Sequence, residues 1–134
     1  MSENAAPRVW PTLAARDARG LIRFLTRLGF EETVVYGDGE RVDHAELSWP
    51  GGGAVMLGSV RTGEAAEWSP TPGAGRTYVV TDDVEGVFAH AMAAGADPLY
   101  APRDTDYGSR ECGVRDPEGN CWFFGTYQGA AAAA

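Results

Sequence analysis

Two residues apart in one short stretch, His44 and Glu46 carry an imidazole and a carboxylate at a spacing that puts both on the same face of a β-strand. Such a pair can act as general acid and base on a small carbonyl compound, or it can be a hydrogen bond that only braces a sheet. Glu111 supplies a second carboxylate. Arg76 supplies a fixed positive charge that beside Glu46 would make a structural ion pair. Cys121 has the chemistry of a nucleophile, but no cation adjacent in sequence favours its thiolate. All eleven basic residues are arginines, so a Schiff base or a lysine general base is excluded.

Short strands and two helices must position these groups. Val9 to Ala15 reads as a strand, with Pro11 marking an edge or a start. Asp17 caps a helix over Ala18 to Leu28, where Leu21, Ile22, Phe24, Leu25 and Leu28 share one face, Arg19, Arg23 and Arg27 lie on the solvated other, and Gly29 stops the chain. Glu31 to Tyr36, Val42 to Trp49 and Ala54 to Gly58 are three more strands. Residues 60–75 are rich in Gly, Pro, Ser and Thr without periodicity and read as a linker or lid, in which Trp68 is either a pocket cover or a dimer contact. The pattern then restarts: a strand over Thr77 to Thr81, a helix from the Asp83 cap to Ala94, a short strand over Pro98 to Ala101, and a hairpin of Glu111 to Arg115 and Cys121 to Tyr127 around Asp116-Pro117-Glu118-Gly119-Asn120.

The restart is an internal repeat. Asp17, Gly20, Leu21 and Gly29 recur as Asp83, Gly86, Val87 and Gly95 at an offset of 66, and Trp49-Pro50-Gly51-Gly52 recurs as Asp116-Pro117-Glu118-Gly119 at 67. Each copy is βαβββ, giving an α+β chain with module one at about 8–59, a linker at about 60–75, module two at about 76–128 and a tail at 129–134. One helix covers one face of a four-stranded sheet. Two copies side by side can curve their uncovered faces into a shared cleft within a single domain.

The net charge of −8 and the lack of clustered basic residues argue against nucleic acid. No apolar run approaches the ~18 residues of a membrane span, and the N-terminus lacks a basic region followed by an apolar one, so a soluble cytoplasmic protein is expected. In that compartment Cys112 and Cys121 are two reduced thiols.

Gly-Ser-Arg-Glu at 108–111, Arg-Asp-Pro-Glu-Gly-Asn at 115–120, Trp122 and Phe-Gly-Thr at 124–126 resemble the last hairpin of the glyoxalase/bleomycin-resistance (vicinal oxygen chelate) superfamily, and with the repeat the resemblance runs from about Val9 to Tyr127. It implies a curved mixed sheet with a shared cleft, commonly closed by a second copy of the chain, so a homodimer is expected. It also implies metal ligands on the first and fourth strand of each module. Counting from caps and turns, those positions hold Trp10, Met56, Arg76 and Phe123, none a ligand for a divalent cation, so neither metal nor cofactor is expected. Strand parity completes the cleft: Thr12, His44, Glu46, Tyr78, Glu111 and Cys121 join those four, while Trp122 and Phe124 face the helix. Aromatic walls with acidic groups suit an aromatic or cationic ligand. The expected function is metal-free small-molecule binding, as in the antibiotic-sequestering members. The alternative is a lyase, isomerase or dioxygenase-like enzyme using His44 and Glu46 or a metal at ligands not placed.

Overall fold

The computed structural model describes residues 6–130; the end of the predicted tail, 131–134, lies outside the described residues. Module one runs β1 (Thr12–Ala15), α1 (Ala18–Leu28), β2 (Glu31–Asp38), β3 (Arg41–Ser48) and β4 (Ala54–Ser59). Module two repeats it as β5 (Arg76–Val80), α2 (Val84–Ala93), β6 (Asp97–Asp104), β7 (Arg110–Arg115) and β8 (Cys121–Gly125). The modules form two four-stranded mixed sheets, ordered β1-β4-β3-β2 and β5-β8-β7-β6, in which only the β1–β4 and β5–β8 pairs are parallel. The repeat persists in the ladders: Thr12 opposite Met56 is matched by Tyr78 opposite Phe123, and Glu46 opposite Met56 by Gly113 opposite Phe123.

The Asp-x-x-Gly pair in the repeat has a steric cause. Asp17 Oδ1 accepts the Gly20 N–H and Asp83 Oδ1 the Gly86 N–H, each at 3.0 Å. A Cβ at Gly20 would lie 2.9 Å from the Asp17 carboxyl carbon, and one at Gly86 2.7 Å from that of Asp83, so this cap geometry needs glycine. On α1 the predicted apolar face is buried. Its arginine stripe is less idle than expected, since Arg19 donates to the Gly39 carbonyl and Arg27 to that of Ala93, tying α1 to the end of α2.

Both modules share one core. Phe30 packs on Trp49 at 4.9 Å and on Trp122 at 5.6 Å, and Trp49 meets Phe124 at 6.0 Å between ring centroids. Trp122 and Phe124 are fully buried, as their parity predicted. The hairpin turns reach across as well. Glu118 accepts the Arg16 and Asp17 N–H groups at 2.8 and 2.9 Å, and Trp49 Nε1 donates to the Val80 carbonyl at 3.0 Å.

Several predicted boundaries move. β1 starts at Thr12 rather than Val9: Pro11 has no N–H for a ladder, its carbonyl accepts Met56 N–H, and Trp10 Nε1 turns back to the Pro7 carbonyl. β6 covers Asp97–Asp104, twice the predicted Pro98 to Ala101, because register shifts on both sides of Tyr100 absorb two prolines into an edge strand. β8 ends at Gly125, short of the predicted Tyr127. Within the linker, Gly63–Trp68 forms a short 3₁₀ helix.

Candidate functional site

The predicted cleft residues divide between two faces. On module one, Thr12, His44 and Met56 line a cavity of about 300 Å³ together with Arg61 and Trp68. Trp68 borders this cavity while staying 70% exposed. His44 Nε2 and Glu46 Oε2 are 2.7 Å apart, and the Tyr36 ring stacks on His44 at 6.5 Å. The two share one face of β3, and of the pair only His44 lines the cavity. The ion pair of Glu46 with Arg76 is not formed. Glu46 is engaged by His44, and Arg76 lies on the other module with its guanidinium carbon 4.9 Å from the Phe123 centroid. Trp10 lines neither face cavity.

On module two, Arg76, Tyr78, Glu111 and Phe123 border a cavity of about 420 Å³ with Tyr100 and Tyr107. Cys121, expected in the cleft, does not line this cavity; it stands opposite Arg76 in the ladder and 3.9 Å from an Arg115 nitrogen, a cation that sequence adjacency did not reveal. The floor is aromatic. Tyr100 and Phe123 lie 6.3 Å apart at 30°, directly over Gly113, where a Cβ would come within 2.9 Å of the Tyr100 ring and 3.1 Å of the Phe123 ring. Glycine at 113 is what lets two rings lie down on the sheet.

Glu111 is the buried anchor of this face, 6% exposed. It accepts from Tyr107 at 2.7 Å and from Tyr78 and Ser109 at 3.0 Å each. Burial pushes its carboxyl up, but the hydrogen bonds from Tyr107, Ser109 and Tyr78 outweigh that, and the net effect holds it below the ordinary value. Tyr107 feels the other side of the bond: its phenol is raised to about 12, chiefly by Glu111. Burial raises the Tyr78 and Tyr100 phenols. Tyr107 is placed by a tight loop in which Thr105 and Ser109 exchange backbone and hydroxyl hydrogen bonds. Gly125 leaves the space Glu111 occupies, since a Cβ there would stand 2.6 Å from its Cγ. The expected open carboxylate for a cation is therefore a carboxylate whose oxygens are already held by three hydroxyls.

Tyr100, Tyr107 and Arg103, whose guanidinium carbon lies 3.9 Å from the Tyr100 centroid, were missed from sequence. The signal for two of them was present, because carrying β2 forward by the offset of 66 gives the observed Asp97–Asp104 strand. Tyr107 lies in a loop with no periodicity to mark it. A third cavity, about 570 Å³, runs between the modules along Phe30, Trp49, the Gly51–Gly53 backbone and Tyr78 to Val80, and offers no titratable side chain except the Tyr78 phenol.

The positions at which the resemblance places metal ligands hold side chains that fit no divalent metal. Trp10 offers an indole N–H already bonded, Met56 a thioether, Phe123 a ring, and Arg76 a positive charge that would repel a cation. Among the described residues no three His, Cys, Asp or Glu side chains converge as a metal-holding group, and no helix is long and apolar enough to cross a membrane.

Two βαβββ modules about one core, each with an open sheet face, define a paired-module α+β protein. Residues 9–124 match the Glyoxalase/Bleomycin resistance protein/Dioxygenase superfamily, and the chain belongs to it. Among solved structures it is similar to TioX from Micromonospora sp. ML1, at 26% identity and a TM-score of 0.72 over 92% of this chain and 98% of that one. It is also similar to TnmS3, an antibiotic binding protein from Streptomyces sp. CB03234, at 19% identity and a TM-score of 0.67 over 92% and 96%. A superfamily member from Sphaerobacter thermophilus DSM 20745 follows at 20% identity, with a TM-score of 0.66 over 93% and 97%. At their identities the last two attest to the fold alone. A comparison with curated proteins gives no match.

Proposed function

We propose that this single-domain chain is a cytoplasmic, metal-free binding protein that sequesters a planar small molecule without turning it over. The observation that carries the reading is the aromatic floor of Tyr100 and Phe123 within the module-two cavity. Rings of this kind contribute roughly 1 kcal/mol per stacked contact beyond burial. The side chains at the metal-ligand positions favour binding over metal-assisted chemistry, and the unpaired thiols of Cys112 and Cys121 suit a reducing compartment. TnmS3, named as an antibiotic binding protein, makes antibiotics the first ligands to try. A thermal-shift screen of planar aromatic antibiotics tests this, because a tight ligand raises the melting temperature by mass action. A stabilising compound recovered unchanged is expected. One recovered chemically altered would overturn sequestration, and a screen without any shift would overturn binding.

One observation favours an enzyme instead: the 2.7 Å contact of His44 and Glu46 beside the module-one cavity is a ready acid–base pair. Turnover of methylglyoxal–glutathione adducts that disappears with His44→Ala would establish that reading.

A homodimer completes the proposal. The two face cavities have no lining residue in common, so within one chain neither is closed by the residues of the other. A partner laid against them would.

A further inference from the structure

The charge of the ligand can be read from arginines, an inference that rests on the binding function proposed above. In a chain of net charge −8, two arginines lie against one aromatic pair and a third stands on β7, the strand between the two rings' strands. The Arg76 guanidinium carbon is 4.9 Å from the Phe123 centroid and that of Arg103 3.9 Å from the Tyr100 centroid. Arg115 shares strand parity with Glu111 and Gly113 and reaches the Cys121 sulfur. Arg16, Arg41 and Arg110 are in ion pairs; among the described residues Arg76, Arg103 and Arg115 are in none. Asp97 stands across the ladder from Arg115 without pairing to it. The carboxylate among them, Glu111, is buried and held by three hydroxyls.

The fold does not require this arrangement. At the ladder positions of Tyr100, Gly113, Phe123 and Glu111, module one carries Val34, Glu46, Met56 and His44. We infer that the module-two face binds a planar aromatic anion, its ring on the Tyr100–Phe123 floor and its carboxylate, sulfonate or phenolate held by Arg76 and Arg103. A guanidinium near a ring face keeps N–H donors for a planar or forked acceptor, and stacking limits the entropy lost on binding. The phenols of Tyr78 and Tyr107 already donate to Glu111, which leaves the arginines to select for charge.

Three probes with one ring separate the outcomes: pyrenesulfonate, pyrenemethanol and pyrenemethylammonium, titrated by fluorescence anisotropy. The sulfonate should bind more tightly than the alcohol by about tenfold, as for a hydrogen bond to a charged group, and the ammonium most weakly. Arg76→Gln and Arg103→Gln should each weaken the sulfonate by about tenfold and leave the alcohol within about twofold, with Arg→Lys recovering part of the loss. The alcohol also reports that the floor survives each substitution. If the alcohol or ammonium binds as well as the sulfonate, the charge assignment is overturned and the binding function stands. If no probe binds, both fall. A preferred sulfonate undiminished by either Gln variant would place the anion elsewhere and overturn the inference.

Discussion

Tyr107 and Glu111 share one hydrogen bond whose two ends titrate in opposite directions, and this gives the residue-scale predictions. The Tyr107 phenol, raised to about 12 from 10.0, should ionise late in an ultraviolet titration of tyrosinate, and Glu111→Gln should return it toward 10.0. Stabilisation from a raised group is complete below its unfolded value and lost as pH rises through the folded one, so this bond should weaken between about pH 10 and 12. For Glu111 the folded value is lowered from 4.5. Its contribution is therefore complete above pH 4.5 and lost as pH falls through the folded value. Melting temperatures of the parent should fall more steeply in that acid range than those of Glu111→Gln; equal slopes would contradict the assignment. Sequence parity put Glu111 on the correct face but could not show its three donors, since Tyr78 and Tyr107 reach it from another strand and from a loop. His44 and Glu46 were legible because a spacing of two on one strand needs no tertiary information.

At the scale of elements, the Asp116–Asn120 turn does more than reverse the chain. Asp116 is buried and accepts from the Glu118 and Asn120 N–H groups, the Asn120 amide and Trp122 Nε1 at 2.8 to 3.0 Å. Asn120 in turn accepts Gly75 N–H, and Glu118 holds the start of α1. Because hydrogen bonds to a charged group contribute about 1.5–3 kcal/mol, Glu118→Ala should cost about 2–3 kcal/mol in denaturant unfolding. A loss below ~0.5 kcal/mol would reduce the contact to a surface pair. Gly113→Val should leave the fold standing yet tilt Tyr100 and Phe123 off the sheet, read as weakened binding of planar probes with little change in melting. The turn was recognisable from Pro117 and Gly119, and the repeat from its caps. What the turn holds was not recognisable, because those partners are distant in sequence.

For the whole molecule, two expectations can be measured directly. Dialysed protein should carry no stoichiometric divalent metal, since the positions at which the resemblance places ligands hold Trp10, Met56, Arg76 and Phe123; about one zinc, nickel, manganese or iron per chain by elemental analysis would reopen metal chemistry. Light scattering at micromolar concentration should give twice the chain mass, and a folded monomer would refute the dimer. The architecture was legible as a repeat, whereas the division of the site between two faces was not, because a sequence pattern shows which residues share a sheet face and not where the two faces point. The clasp from Glu118 to Arg16 and Asp17 spans 102 and 101 residues of chain, which places it among the last contacts that a folding molecule can close. During synthesis the residues that lead into α1 must wait for this contact until the final hairpin has been made. Glu118→Ala should therefore quicken hydrogen exchange first at the Arg16 and Asp17 amides, about a hundred residues away along the chain.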